Sequence, residues 1–566
     1  MAVKQRSNKY WARRAEEGLN KALKTSASYE RLINRVYTEA SINLTQELQR
    51  LYKNAYKGDK SFDMDKLNAL EPSGNVERFK AAMRRQGLYT KLPDNYKGRL
   101  TRLGMLDAQI WAEVKRAGQK ETAYNTDAYR KIVNNGYKNA QSVIAKGTNT
   151  SFTFNKLNTG AVNTVLNNKF DGANYSERIW GQTDVLANEL QQKLATAVAT
   201  GQNYERTARE FRERFNVKKS YAERLIRTES CYFETEAKLQ AYKDMGIEEL
   251  VFVATLDSRT SEICQHADGE RIKINDAVVG ENIPPLHPNC RSTVRAYIAE
   301  EFEPTERIER IRGKNSYTDN QTYEEWKTSR VKSLINVIGG KLDLKSMQII
   351  ANGIKYDADS MFDLDPVLLG GMQNNAEGII NSYGLEAWLK QNGNLNFYSQ
   401  PMYGGVIAST NRKRPHIGVN SSYYVDNKKL VRAVRNGVNK HHFMPAKRYR
   451  DYTINHELGH LVENYILANH NTDAHAAVII KEVFDMVVKD TGLTASKAWQ
   501  QHMSGYGKIK AREAFAESFA NMRGGAINPF GRALKKWLSD ESNLRRDWDA
   551  YDKSKGVIIK ARKRGK

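Results

Sequence analysis

The chain has 566 residues with 89 Lys and Arg against 65 Asp and Glu, a net charge of +24 at pH 7 and a pI near 9.6. That length allows roughly three or four domains with separate cores, and the basic excess favours polyanions through sequence-independent phosphate contacts. Three cysteines, Cys231, Cys264 and Cys290, exclude a disulfide scaffold, and no stretch approaches the roughly 18 apolar residues of a membrane span.

Residues 1–155 read as a helical N-terminal region. Its start, MAVKQRSNKYWARR, lacks the apolar core of a secretory signal. Leu44, Leu48 and Leu51 mark one apolar stripe among many Arg, Lys and Gln, as expected of helices that form a bundle or dock on a partner. Residues 156–300 read as a mixed block. Helices are expected over Ile179 to Val198, Tyr204 to Phe215 and Tyr221 to Met245, then a short strand at Leu250 to Ala254 and irregular loops. Over residues 301–330 charge rises and periodicity fades, which predicts a linker. Residues 331–552 read as a second helical and mixed region. The last segment, 553–566, holds seven basic residues and no acidic one; it suits a nucleic-acid-binding arm or a solvated end. The predicted class is α+β multidomain, predominantly helical, with no internal repeat.

The loops of the mixed block contain DSRTSEICQHADG from Asp257 and PPLHPNCRS from Pro284. Cys264 with His287 and Cys290, joined by His266 or Asp268, offers soft and borderline ligands to a structural zinc that would tie down loops too irregular to fold alone. Buried small hydrophobes, or thiols close enough to oxidise, would account for the same cysteines. The block resembles the phage head morphogenesis family, the Mu F-like minor head proteins. The matching features run in order: Arg227-Thr228-Glu229 opening a helix, Gly246 ending it, the strand at Leu250, the DSRTSEIC turn, Asp268-Gly269 and PPLHPNCRS. Ser261 and Ser292 stand where many relatives have cysteine. The resemblance implies a minor capsid protein that associates with portal and capsid or scaffold proteins, enters the head during assembly, and so resides in the virion after passing through the host cytoplasm.

The most specific chemistry lies further on, in His456-Glu457-Leu458-Gly459-His460. On a helix, His456 and His460 project from one face and bind one metal while Glu457 sits beside a water. The run Glu513 to Phe519 reads as another amphipathic helix, with Phe515 and Phe519 for the core and Glu513 and Glu517 four apart on another face. A catalytic zinc takes three protein ligands and leaves one position open, so His456, His460 and Glu513 are the predicted set. Glu457 is then the general base, and the phenol of Tyr506, seven residues before Glu513, the oxyanion donor. Glu517 is expected to orient a ligand. A metzincin arrangement would need Gly and His where Glu463 and Ile466 stand. These residues resemble the zincin domain of the anthrax-lethal-factor type, with the same Tyr-to-Glu spacing. That resemblance implies a zinc endopeptidase, and a protein substrate docked as an added strand. Val406 to Ile407 or His416 to Asn420 would be the edge it joins, or else a plain core strand.

Together the two readings describe a phage minor head protein that contacts packaged DNA and carries a metallopeptidase, acting in head maturation or as an effector ejected into the host. The combination also resembles polymorphic toxins in which a Mu F-like domain precedes a toxin domain. The alternative is a purely structural head protein whose zincin fold is inactive.

Overall fold

Four long helices carry the first part of the chain: α1 (Asn8–Ala55), α2 (Arg102–Thr148), α3 (Tyr175–Thr200) and α4 (Tyr204–Asp244). Their mutual packing buries Leu44 and Leu48 completely, together with Tyr37, Tyr129, Phe211 and Phe233. At about 2 kcal/mol per fully buried aliphatic side chain, the predicted stripe is a main source of bundle stability. The computed structural model describes residues 8–148, 157–298, 306–312, 314–343, 345–403, 405–411, 414–467 and 473–555. It divides into one unit of Met1–Glu309 with Asn315–Glu324 and another of Arg310–Lys314 with Glu325–Lys566.

Local signals set the helix ends. Asn174 and Glu177 form a reciprocal capping box at the start of α3, and Asn203 caps α4. Between them Gly201 takes φ of 61°, and a Cβ there would lie 1.4 Å from the Lys60 carbonyl oxygen, so only glycine fits the turn. The expected break between Phe215 and Tyr221 is absent, because α4 runs unbroken through it. The reason is Lys218, which lies inside the bundle with its Nζ 2.9 Å from Glu121 rather than in solvent. Arg227-Thr228-Glu229 consequently falls mid-helix instead of opening one.

Beyond α4 the first unit turns to a three-stranded antiparallel sheet of β1 (Glu249–Val253), β2 (Arg271–Lys273) and β3 (Thr293–Tyr297), in the order β2-β1-β3. The short helix α5 (Glu262–His266) lies in the loop after β1. The segment expected to be a linker is partly regular: β4 (Glu306–Ile311) and β5 (Lys314–Asp319) pair with each other, and a helix spans Tyr323–Ile338. Charge masked this order, since β4 and β5 alternate polar residues with few apolar ones. Within that helix Trp326 is 1% exposed and meets Phe362 edge-on.

The second unit holds β6 (Lys341–Asp343), β7 (Gln348–Ala351), β8 (Ile354–Asp357), β9 (Asn396–Gln400), β10 (Ala408–Thr410) and β11 (His416–Asn420) in one sheet, ordered β10-β11-β9-β8-β7-β6. β11 pairs parallel with β9 and antiparallel with β10, so His416 to Asn420 is an interior strand and β10 is the outer one. Val406 and Ile407 precede β10 as coil. The candidate edge is therefore Ala408–Thr410, next to but not within either segment expected from sequence.

Among the helices of this unit, four frame the site: α6 (Tyr452–Leu467), α7 (Asp473–Thr491), α8 (Ala511–Arg523) and α9 (Pro529–Leu538). α6 packs along α8 and also against β10, while α9 packs on both α7 and α8. Gly459 sets the closeness of the first pair. A Cβ there would stand 3.0 Å from Phe519 Cβ and 3.2 Å from Ala516 Cα, so a larger residue would push the two helices apart. No helix among the described residues is long and apolar enough to cross a membrane. Most of the basic segment 553–566 lies outside the described residues.

Candidate metal centre

The closeness that Gly459 permits brings three side chains together from two helices. His456 and His460, one turn apart on α6, aim Nε2 at the same Glu513 Oε2 on α8, at 3.2 and 3.4 Å. One ligand atom from each of the three lies within 4.8 Å of the others. Zinc with ligand bonds of about 2.0 to 2.1 Å in a tetrahedron would separate its ligands by about 3.3 Å, so both distances match the edges of such a site. The electrostatics point the same way. Burial works to push the imidazoles down, but Glu513 and Glu517 raise His456 to about 10, and Glu463 and Glu513 raise His460 to about 9. Against its own burial, the Glu513 carboxyl is held far below its ordinary range by the same histidines. One carboxylate oxygen facing one buried and one largely buried imidazole calls for positive charge, which a divalent ion supplies without two adjacent imidazolium groups.

The remaining ring nitrogens are engaged as well. His456 Nδ1 lies 3.1 Å from Glu517 Oε1, and the other Glu517 oxygen accepts from Met444 N at 2.8 Å and Tyr452 Oη at 2.9 Å. Glu517 is fully buried. On the other side His460 Nδ1 faces Glu463 Oε2 at 3.7 Å, and Arg512 Nη1 holds that oxygen at 3.5 Å. A carboxylate stands behind each imidazole, hydrogen-bonded at His456 and acting through charge across the longer gap at His460, and favours the tautomer that leaves Nε2 free to ligate. Sequence reasoning passed over Glu463, noting only that it is not the glycine of another motif. Its spacing of three from His460 on one helix face was the available signal.

Glu457 lies on the same turn, buried, with Oε2 accepting a 2.6 Å bond from Thr410 Oγ1 on the outer strand β10. Thr410 was not legible in sequence, because only the tertiary pairing of β10 with α6 puts it there. Tyr506 sits in the turn before α8, where its backbone N donates to the His442 carbonyl. Its ring lies 5.7 Å from that of His456 and 5.1 Å from that of His442. Burial, and then Glu513, Glu457 and Glu517, push its phenol up to about 12, so it keeps its proton at neutral pH. Two further histidines between α6 and α8, His470 and His475, compete for the role of ligand in the sequence. His475 pairs with Asp552 at 3.1 Å and packs on Trp548, and His470 lies outside the described residues.

A second cluster occupies the loops of the first unit. Cys264 Sγ and Cys290 Sγ stand 3.6 Å apart, and His287 offers a nitrogen within 4.8 Å of both. His266 is exposed at the end of α5 and takes no part, since the helix points it outward. Asp268 is consumed elsewhere: it accepts from Ala254 N, Tyr323 N and Arg307. Cys231 on α4, which no sequence pattern connected to these loops, contacts Cys290. The DSRT and CRS motifs form a clasp beside the cluster, in which Arg291 grips Asp257 through both guanidinium nitrogens.

Residues 188–295 match the family model described as Phage Mu protein F like protein, which supports the Mu F-like head protein family for this chain. The matched stretch begins inside α3, well before Arg227, and ends in β3, so it includes all three cysteines and His287. No curated protein and no solved structure matches the chain.

Proposed function

We propose that this protein is a minor head protein of a tailed phage whose C-terminal unit is a zinc-dependent endopeptidase. The observation that carries the enzymatic half is the convergence of His456 and His460 Nε2 on one Glu513 oxygen, with Glu457 beside them and bonded to an outer strand. His456, His460 and Glu513 would hold zinc, which when bound supplies a Lewis acid that polarises a carbonyl and acidifies a water. Glu457 takes the proton of the attacking water and delivers it to the leaving amine. Thr410 holds that carboxylate in place from β10. The Tyr506 phenol, protonated at neutral pH, donates to the oxygen on which negative charge develops. A substrate segment adds as a strand to the open side of β10, which brings its backbone past Glu457.

The structural half rests on the Mu F-like match over residues 188–295. By that family the partners are portal, capsid or scaffold proteins, and the location is the virion. The net charge of +24 suits contact with packaged DNA. Attachment of a peptidase to such a protein favours delivery with the DNA and action on a host protein over action on the head.

Zinc per chain, measured by elemental mass spectrometry on the full-length protein and on His460→Ala, tests the site together with cleavage of a peptide library. The variant should hold about one zinc fewer and cleave nothing. A His460→Ala variant that holds as much zinc as the wild type, with no peptide cleaved by either, would overturn the peptidase. Cleavage of capsid or scaffold proteins, and of no host protein, in infected cells would assign the activity to head maturation.

A further inference from the structure

We propose that Cys231, Cys264, His287 and Cys290 form a closed, structural zinc site that pins the loops of the first unit to helix α4. The Cys264–Cys290 separation of 3.6 Å is far beyond the roughly 2.05 Å of a disulfide. It is close to the edge of about 3.8 Å between two thiolates that share a tetrahedral zinc at about 2.3 Å each. His287 is prepared as a ligand by its own backbone. Its Nδ1 donates to the Pro288 carbonyl at 2.9 Å, which leaves Nε2 as the lone-pair nitrogen. A turn and the first turn of α5 present the sulfurs: Cys290 N donates to the His287 carbonyl, and Cys264 N to that of Ser261. Asn289, between the ligands of the second turn, takes the left-handed φ of 61° that folds His287 and Cys290 toward one point.

Cys264, His287 and Cys290 form the mutually close group, and Cys231, from a different element, is the fourth ligand proposed for it. It is fully buried in α4, its Sγ lies 3.5 Å from the Ser292 carbonyl oxygen, and it contacts Cys290. Packing alone would not gather two thiols and an imidazole around the Cys290 sulfur, because a thiol makes only weak hydrogen bonds. The surrounding chain also has little else to order it. Between β1 and β3 the regular structure is limited to α5 and the three residues of β2, yet Cys264 and Cys290 are 0% and 1% exposed. Four protein ligands leave no open position, so the site stabilises and does not catalyse.

The test is cobalt substitution of the full-length chain, stripped of metal and reloaded. Thiolate-to-cobalt charge transfer arises only where sulfur ligates, so the His456, His460 and Glu513 cluster contributes nothing to it and the two proposals are read separately. Three thiolates' worth of intensity is expected in the wild type, reduced by one share in Cys231→Ser and abolished in Cys290→Ser. A wild-type chain without the band overturns the site. Intensity for two thiolates overturns the part given to Cys231. The wild-type measurement does not depend on either variant folding.

Discussion

The two clusters use overlapping chemistry in opposite ways. In the second unit the proposed ligands are nitrogen and oxygen, they stand on two regular helices, and His460 and Glu513 keep side-chain exposures of 16% and 17%. In the first unit the proposed ligands are mainly sulfur, they come from one turn, the short α5 and the long α4, and both Cys264 and Cys290 are sealed from solvent. A centre that acts on a substrate needs a rigid frame and an open side. A centre that substitutes for a missing core needs closure, and places its ligands where the backbone is otherwise unsupported. Changes in the first cluster and its clasp should therefore alter stability, and changes in the second should alter chemistry.

Glu457→Gln should break the second half of that contrast most sharply. The exchange keeps the shape and the Thr410 contact but removes the proton acceptor, so peptide cleavage should fall by about 10⁴-fold while zinc content and the thermal midpoint stay at wild-type values. Retained activity would mean that another group is the base.

In the first unit the corresponding probe is Asp257→Asn. Burial would raise the Asp257 carboxyl, but Arg291 outweighs it and holds the group below its ordinary value. A depressed folded-state value stabilises the fold above the unfolded pKa of about 3.9, and the benefit is lost as pH falls through the folded value. Breaking the buried pair should cost about 3 kcal/mol at pH 7 in denaturant unfolding. The gap to wild type should close in acid, and peptide cleavage should not change. A gap independent of pH would assign the loss to packing rather than to charge.

Tyr506→Phe should follow, with cleavage reduced by about 10²-fold through kcat and unchanged zinc content. Because the phenol is pushed up to about 12, the wild-type rate should show no loss from its ionisation at pH 8 to 9. A variant with wild-type kcat would remove Tyr506 from the chemistry and leave it as a packing partner of His456 and His442.

Legibility followed the same division. The second cluster was readable because helix geometry converts spacing directly into direction: His456 and His460 four apart, and Glu513 and Glu517 four apart, must each share a face. Thr410 was not, since its place depends on β10 pairing outside β11, and so few residues carry no register of their own. In the loops, Cys264, His287 and Cys290 were visible as residue types, but no period relates them, and His266 and Asp268 looked equally available. Only the fold separates an exposed His266 from a His287 locked by Pro288. Cys231 was beyond sequence reasoning, because a cysteine in mid-helix carries no direction until that helix is packed. The run from Asn216 to Ser220 misled for a related reason: Lys218 reads as solvent-facing until Glu121 is seen opposite it.

The smallest effect concerns Glu463, the carboxylate that sequence alone did not single out. It is fully buried, between His460 Nδ1 and Arg512 Nη1, whereas its counterpart Glu517 lies closer to its histidine and is fixed by two further donors. Glu463→Gln preserves volume and can still accept from the imidazole, so the fold should survive and the ring should keep its tautomer. What is lost is the negative charge that makes His460 a stronger ligand, an effect of about tenfold in zinc affinity. Competition with a chelator reads this directly, and kcat at saturating zinc should stay near wild type. The looser 3.7 Å contact predicts a smaller loss here than in Glu517→Gln. If the order of the two variants is reversed, Arg512 acts on the centre through Glu463 more strongly than the geometry of His460 implies, and the two histidines are not supported in the same way.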